Sequence, residues 1–164
     1  MPIIAADIQF RMSGGAANAS AIASLGGVKS SNVYPAALFD DTGAPESAAG
    51  DTEYRAFYVH NNHATLTFTN AVIWLNAQTL GAGHAIAIGV GASAVNGVEQ
   101  TIANEDLAPA TVVFTSPTTQ GTGLALGSIP AGQHRAVWQR RVVTAASPAS
   151  ANSFVPRVYG ETLA

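Results

Sequence analysis

The sequence predicts an all-β protein: an antiparallel β-sandwich, Ig-like or jelly-roll in topology, of about eight or nine strands with an extended N-terminal segment or loop. Three observations predict it. Residues 51–75, DTEYRAFYVHNNHATLTFTNAVIWL, hold the densest run of aromatic and β-branched residues and alternate with a period of two, as strands do. Turn signals punctuate the chain at the spacing of a sandwich, and no stretch carries the period of a convincing helix. At 164 residues the chain is long enough for one domain, 1–164, with a substantial core, and shows no internal repeat.

In chain order, residues 7–13 give a first strand, with Ile8, Phe10 and Met12 on one side and Gln9 and Arg11 on the other. Residues 13–31 are rich in Gly, Ala, Ser and Asn and lack strong periodicity, the composition of a long loop or of an arm that docks on a neighbour. Leu38 and Phe39 form an apolar knot before the turn Asp40-Asp41-Thr42-Gly43.

The central stretch reads as a meander. Strand 53–60 turns at Asn61-Asn62-His63 into 64–69 as an antiparallel hairpin, and Asn70 opens a third run, 71–75. The face carrying Phe57, Val59, Leu66, Phe68 and Trp74 then requires a second sheet to cover it. Beyond it, 84–90, 111–115, 124–129, 133–144 and 154–160 read as strands. Asn96-Gly97 and Pro130-Ala131-Gly132 read as turns, 104–109 as an exposed connection, and 147–153 as a loop. Pro156 marks the last strand as an edge or a bulge. The expected buried set is Phe57, Val59, Leu66, Phe68, Ile86, Ile88 and Trp138.

Composition narrows function. Charged residues make up 10% of the chain, with one lysine and six arginines, against a typical share of about 25%. A surface so poor in charge suits contact with other subunits. A formal net charge of -3 argues against nucleic acid, since phosphate binding needs clustered Lys and Arg. Only Arg135, Arg140 and Arg141 cluster, on what reads as a solvated or interface-paired strand. The uncharged stretch 71–98 is interrupted by Asn76, Gln78, Thr79, Gly81, Gly83 and His84, which favours two strands over a membrane span. The start, MPIIAADIQF, lacks a basic region and reaches Asp7, which argues against a secretory signal.

Catalytic chemistry finds no motif: no nucleophile elbow, Walker loop or zincin helix, and no cysteine. His60 and His63 flank the expected turn but lack a local third ligand for zinc. Asp40, Asp41, Asp51 and Glu53 offer oxygens for calcium, yet their spacing fits turn capping better. The sequence therefore predicts no catalytic, cofactor or metal residues, and no enzyme. The Asn18-Ala19-Ser20 sequon reads as coincidence. Trp74 and Trp138 lie in apolar strand patterns and read as core, while Tyr34, Tyr54, Tyr58 and Tyr159 are the candidates for a carbohydrate- or receptor-binding platform.

Several segments together carry a resemblance: Ser24-Leu25-Gly26-Gly27, Leu38-Phe39-Asp40-Asp41, AAGDTEYRAFY at 48–58, QTIANE at 100–105, IPAGQHRAVWQRR at 129–141 and Arg157-Val158-Tyr159-Gly160-Glu161-Thr162. In this order, over most of the chain, they resemble a family of small structural proteins of tailed bacteriophages and prophages. The resemblance implies a virion component with a β-sandwich fold and brings no catalytic residues. Decoration of the head, a place at the neck, and a place in the tail or baseplate all fit the motifs. The expectation is a capsid decoration or cement protein, assembled into the virion in the host cytoplasm. Its partners would be the major capsid protein or other virion proteins and further copies of itself, with a trimer favoured. The 13–31 segment would reach neighbours, and its deletion would leave the body folded.

Overall fold

Strand β3 (Asp51–Asn61) is buried from Glu53 onwards on both its faces. Alternation explains why. Glu53, Arg55, Phe57 and Val59 point one way, and Tyr54, Ala56, Tyr58 and His60 the other, so each set needs its own cover. The computed structural model describes residues 2–35, 37–148 and 152–162. Met1, Ala36 and Leu163-Ala164 lie outside the described residues, as does the middle of the expected loop 147–153.

β3 pairs antiparallel with β1 (Ile8–Met12) on one side and β8 (His134–Val143) on the other, and β5 (His84–Val90) completes the sheet in the order β1-β3-β8-β5. The second sheet has the order β7-β4-β9, with β4 (Phe68–Thr79) between β7 (Leu124–Ile129) and β9 (Ser153–Thr162). A two-stranded ribbon joins β2 (Gly26–Gly27) to β6 (Glu99–Thr101). The molecule is thus an all-β fold of antiparallel sheets, with one short α-helix among the described residues, α1 (Ala44–Ala49).

Between the two larger sheets lies the main core. Phe57, Val59, Ile86, Ile88 and Val137 face Phe68, Ile73, Leu75, Leu126 and Ile129 across it. The Phe57 ring meets Phe10 and Tyr34 edge-on at 5.6 and 5.1 Å between centroids. On the far face of the first sheet Tyr54, Ala56 and Trp138 form a second core, covered by Leu25, Ile102, Val112 and Phe114. Trp138 is therefore buried, but on the face opposite Phe57. Leu66 is only half-buried.

The expected hairpin at Asn61-Asn62-His63 is not formed. Both edges of β3 are already taken by β1 and β8, so the chain crosses to the other sheet. Asn61 fixes that crossing: its side-chain amide donates to the carbonyls of Leu66 (2.8 Å) and Ile129 (2.9 Å), and its oxygen accepts the His63 N–H. Asn70, at φ 51°, does not open a new strand. It is a bulge inside β4, where the register with both neighbours shifts. Pro156 stands on an outer strand and beside a second such shift, between Leu75 and Ala77.

Segment 13–31 is a loop folded onto the body. Ser13, Ser24 and Ser30 are buried. The Ser13 hydroxyl donates to the Ala56 carbonyl at 2.8 Å, and the Ser24 carbonyl accepts the Ala56 N–H at 2.7 Å. The segment caps the edge of β3 beyond the end of β1 and covers Trp138, so its deletion would strip the second core rather than spare the body. Gly26, at φ +93°, holds the place where a Cβ would collide with the Gln100 carbonyl and lie 3.1 Å from the Trp138 ring.

Residues 111–115 form no strand, making only a bridge from Thr115 to Ile88 while Val113 stands in solvent. The short helix α1 went unread because six residues hold too little period. Its signals are Pro45 in the first turn, the Glu46 carboxylate accepting the Gly43 N–H at 2.7 Å, and Gly50 at φ +80° after its end.

Candidate functional site

Among the described residues, titratable side chains gather in three places, each built by strand register. The first is an interior ion-pair cluster. Cross-strand pairing sets Glu53 opposite Arg141 and Arg55 opposite Gln139 on the core face. Arg141 pairs with the carboxylates of Glu53 and Asp40, and Arg55 pairs with Glu105 and stands 4.0 Å from Glu53. The Phe39 ring lies over both guanidiniums, at 5.7 and 5.1 Å. Burial pushes the Glu53 carboxyl up to about 7, with the charge of Arg141 pulling the other way. Arg141 is thus not on a solvated strand face. It is buried at the rim of the main core, because it shares the face of β8 that carries Val137 and Gln139.

Second is the pair His60 and His134, opposite each other on β3 and β8. His60 Nδ1 donates to the Gln133 carbonyl at 3.1 Å, and the His134 ring meets Tyr58 edge-on at 4.7 Å. Burial lowers the pKa of both rings, and the charge of Lys29 lowers them further. His63 does not join them as a ligand set: its Nδ1 accepts the N–H groups of Thr65 and Leu66, at 3.1 and 3.0 Å. Asp51 Oδ1 accepts the Thr52 N–H, and Asp40 is taken by Arg141. Among the described residues no three His, Asp or Glu side chains come together to hold a metal ion.

Third is Glu99, buried beneath the ribbon. Burial works to raise its pKa, but the backbone N–H and hydroxyl of Ser93, at 3.0 and 2.7 Å, hold it below the usual range. Tyr58 is fully buried beside it, its hydroxyl donating to the Gly27 carbonyl and accepting the Glu99 N–H. Sequence reading missed Glu99. No local motif marks it, because its partner Ser93 is brought to it by a turn.

The four candidate tyrosines do not form one exposed platform. Tyr54 and Tyr58 are buried, Tyr34 is half-buried with its hydroxyl on Gln139, and only Tyr159 is exposed. Trp74 and Trp138 are both buried. The Asn18 amide, the acceptor of the sequon, donates to the carbonyls of Ser13 (2.6 Å) and Ser20 (2.9 Å).

What the surface does offer is apolar. Nine large hydrophobic side chains stand exposed among the described residues, including Val113, Val98, Ile4 and Val33 at 60% or more. A groove of about 340 Å³ runs between the N-terminal segment, with Ile3, Ile4 and Ile8, and residues 156–160 of β9. No helix among the described residues is long and apolar enough to cross a membrane. No protein-family model, curated protein or solved structure matches the chain.

Proposed function

We propose that this protein is a structural component of a bacteriophage virion, a decoration or cement protein that binds the outside of an assembled head and ties capsid subunits together. The observation that carries the reading is the surface. A chain with 10% charged residues exposes nine large hydrophobic side chains, spread over β9, the N-terminal segment and the loops covering the second core. Such side chains favour protein contact over solvent when they are packed into interfaces. The resemblance of its segments to those of phage structural proteins supports the same reading, and so does a body stiffened by two cores.

In this role the protein works without a cofactor and without catalysis. Its partners are the major capsid protein and further copies of itself, and its place is the virion. Repetition lets each contact be weak, because an oligomer that grips several lattice sites at once is held by all of them together. Cryo-electron microscopy of particles assembled with the protein tests the proposal. Density repeated over the head lattice is the expected result. Density confined to a few copies at the neck, tail or baseplate would replace decoration with a tail-associated role, and binding to neither would reject both.

A further inference from the structure

β9 is the outer strand of its sheet and pairs with β4 alone. An outer strand presents a row of unpaired backbone N–H and C=O groups, a template on which another strand can add. Its outward face reads Ser153, Val155, Arg157, Tyr159, Glu161, all exposed. Arg157 is the only exposed residue among the seven basic ones; the other six are buried or half-buried. The one exposed positive side chain thus lies on the longest outer strand among the described residues, four residues from an exposed carboxylate.

We propose that two copies of this chain pair through β9, antiparallel, about a two-fold axis at Tyr159. The register follows from the side chains. Arg157 and Glu161 lie two places either side of Tyr159, so this axis sets Arg157 of each copy against Glu161 of the other, twice over. An axis at Arg157 would oppose two guanidiniums, and one at Glu161 two carboxylates, and like charges directly opposite are destabilising. An axis between two residues would bring the outer face of one copy level with the inner face of the other. The Asn70 amide donates to Glu161 Oε2 at 2.9 Å, which steadies the carboxylate and leaves its other oxygen for the partner. On the inner side the added strand lies along the apolar groove and covers Ile4, which stands 60% exposed. Pairing joins the two three-stranded sheets into one of six strands and closes the edge.

The inference concerns the protein alone and stands whether or not it binds a phage head. Sedimentation of the purified full chain over a range of concentrations is the test, with circular dichroism to check that each variant is folded. A dimer is expected. Arg157→Glu is expected to raise its dissociation constant by roughly tenfold or more, and Arg157→Glu/Glu161→Arg to restore it. The chain has no cysteine, so Tyr159→Cys introduces a single thiol at the axis. Directly opposed residues of an antiparallel pair lie within disulfide reach, and oxidation is expected to give a covalent dimer. A monomer at every concentration, a trimer, an oligomer indifferent to Arg157→Glu, or a Tyr159→Cys variant that does not cross-link would overturn the proposal.

Discussion

Arg141→Met tests the interior ion-pair cluster, and its cost should depend on pH in a definite sense. Arg141 is 3% exposed and Glu53 2%, so the substitution leaves a buried carboxyl whose remaining cation, Arg55, stands 4.0 Å away and is shared with Glu105. Removing one partner of a buried pair costs about 3–5 kcal/mol when the other stays charged. Glu53 need not stay charged, because burial has already pushed its folded pKa to about 7, above its ordinary value of 4.5. A raised folded pKa contributes stability that is fully present below the unfolded pKa and lost as pH rises through the folded one. Losing Arg141 raises that pKa again and extends the loss to higher pH. The gap between wild type and variant should therefore be about 1–3 kcal/mol at pH 5, the cost of unmade hydrogen bonds, and about 3–5 kcal/mol at pH 8.5. Glu53→Met/Arg141→Met should recover part of it, since matched apolar replacement removes both buried groups. Urea unfolding at the two pH values is the assay. A gap below about 1 kcal/mol at both, or one that shrinks with rising pH, would refute the reasoning.

Phe57→Ala, which removes a fully buried ring touching Phe10 and Tyr34, should cost about 3–5 kcal/mol in denaturant unfolding. Gly26→Ala meets both a positive φ and the Gln100 carbonyl, and should lower stability by about 2–4 kcal/mol while changing near-ultraviolet circular dichroism from Trp138 beneath it. His60 and His134 have folded pKa values below the ordinary 6.5, so the stability tied to their neutral forms is complete above pH 6.5 and is lost as pH falls below it. The slope is at most about 1.4 kcal/mol per pH unit for each ring. His134→Gln should flatten the acid limb relative to wild type, and Glu53, whose slope has the opposite sign, cancels in that comparison.

Strands were legible in most places where one face was apolar and the period was two: β5 and β7 have the bounds the alternation predicts, and β1, β8 and β9 differ only by end residues, while 64–67 and 111–114, read as strand on the same signal, are not strand. Pairing was not legible. Alternation in 53–60 and 64–69 reads as two strands joined by a tight turn at Asn61-Asn62, but the prior claim of β1 and β8 on β3 makes 62–67 an irregular crossing between sheets, and strand resumes at Phe68. Nor could alternation tell a solvated face from a covered one. In β3 the second face carries Tyr54, Ala56 and Tyr58, which suit either, and the cover comes from residues 13–31, whose small and polar composition conceals that they pack, and from Ile102, Val112 and Phe114 in the stretch 99–116. The same blindness placed Arg141 in solvent. The interior acids Glu53 and Glu99 were hidden because their partners, Arg141 and Ser93, are fixed by strand pairing and by a close turn rather than by any motif.

The double cover also sharpens the argument from scarce charge. Both faces of the first sheet are covered: the main-core face buries Glu53, Arg55 and Arg141 alongside Phe57, and Arg11, Arg135 and Arg140 are half-covered. Of the ten acidic residues only Asp40, Asp41, Asp106 and Glu161 are exposed. The outside is consequently poorer in charge than the composition already suggests, with a single exposed cation. Self-repulsion cannot then be what keeps copies apart, and the features left to govern association are apolar side chains and open strand edges. Where the few exposed charges fall becomes decisive for register, which is why exchanging Arg157 and Glu161 is a sharper probe of assembly than any change to the apolar residues around them.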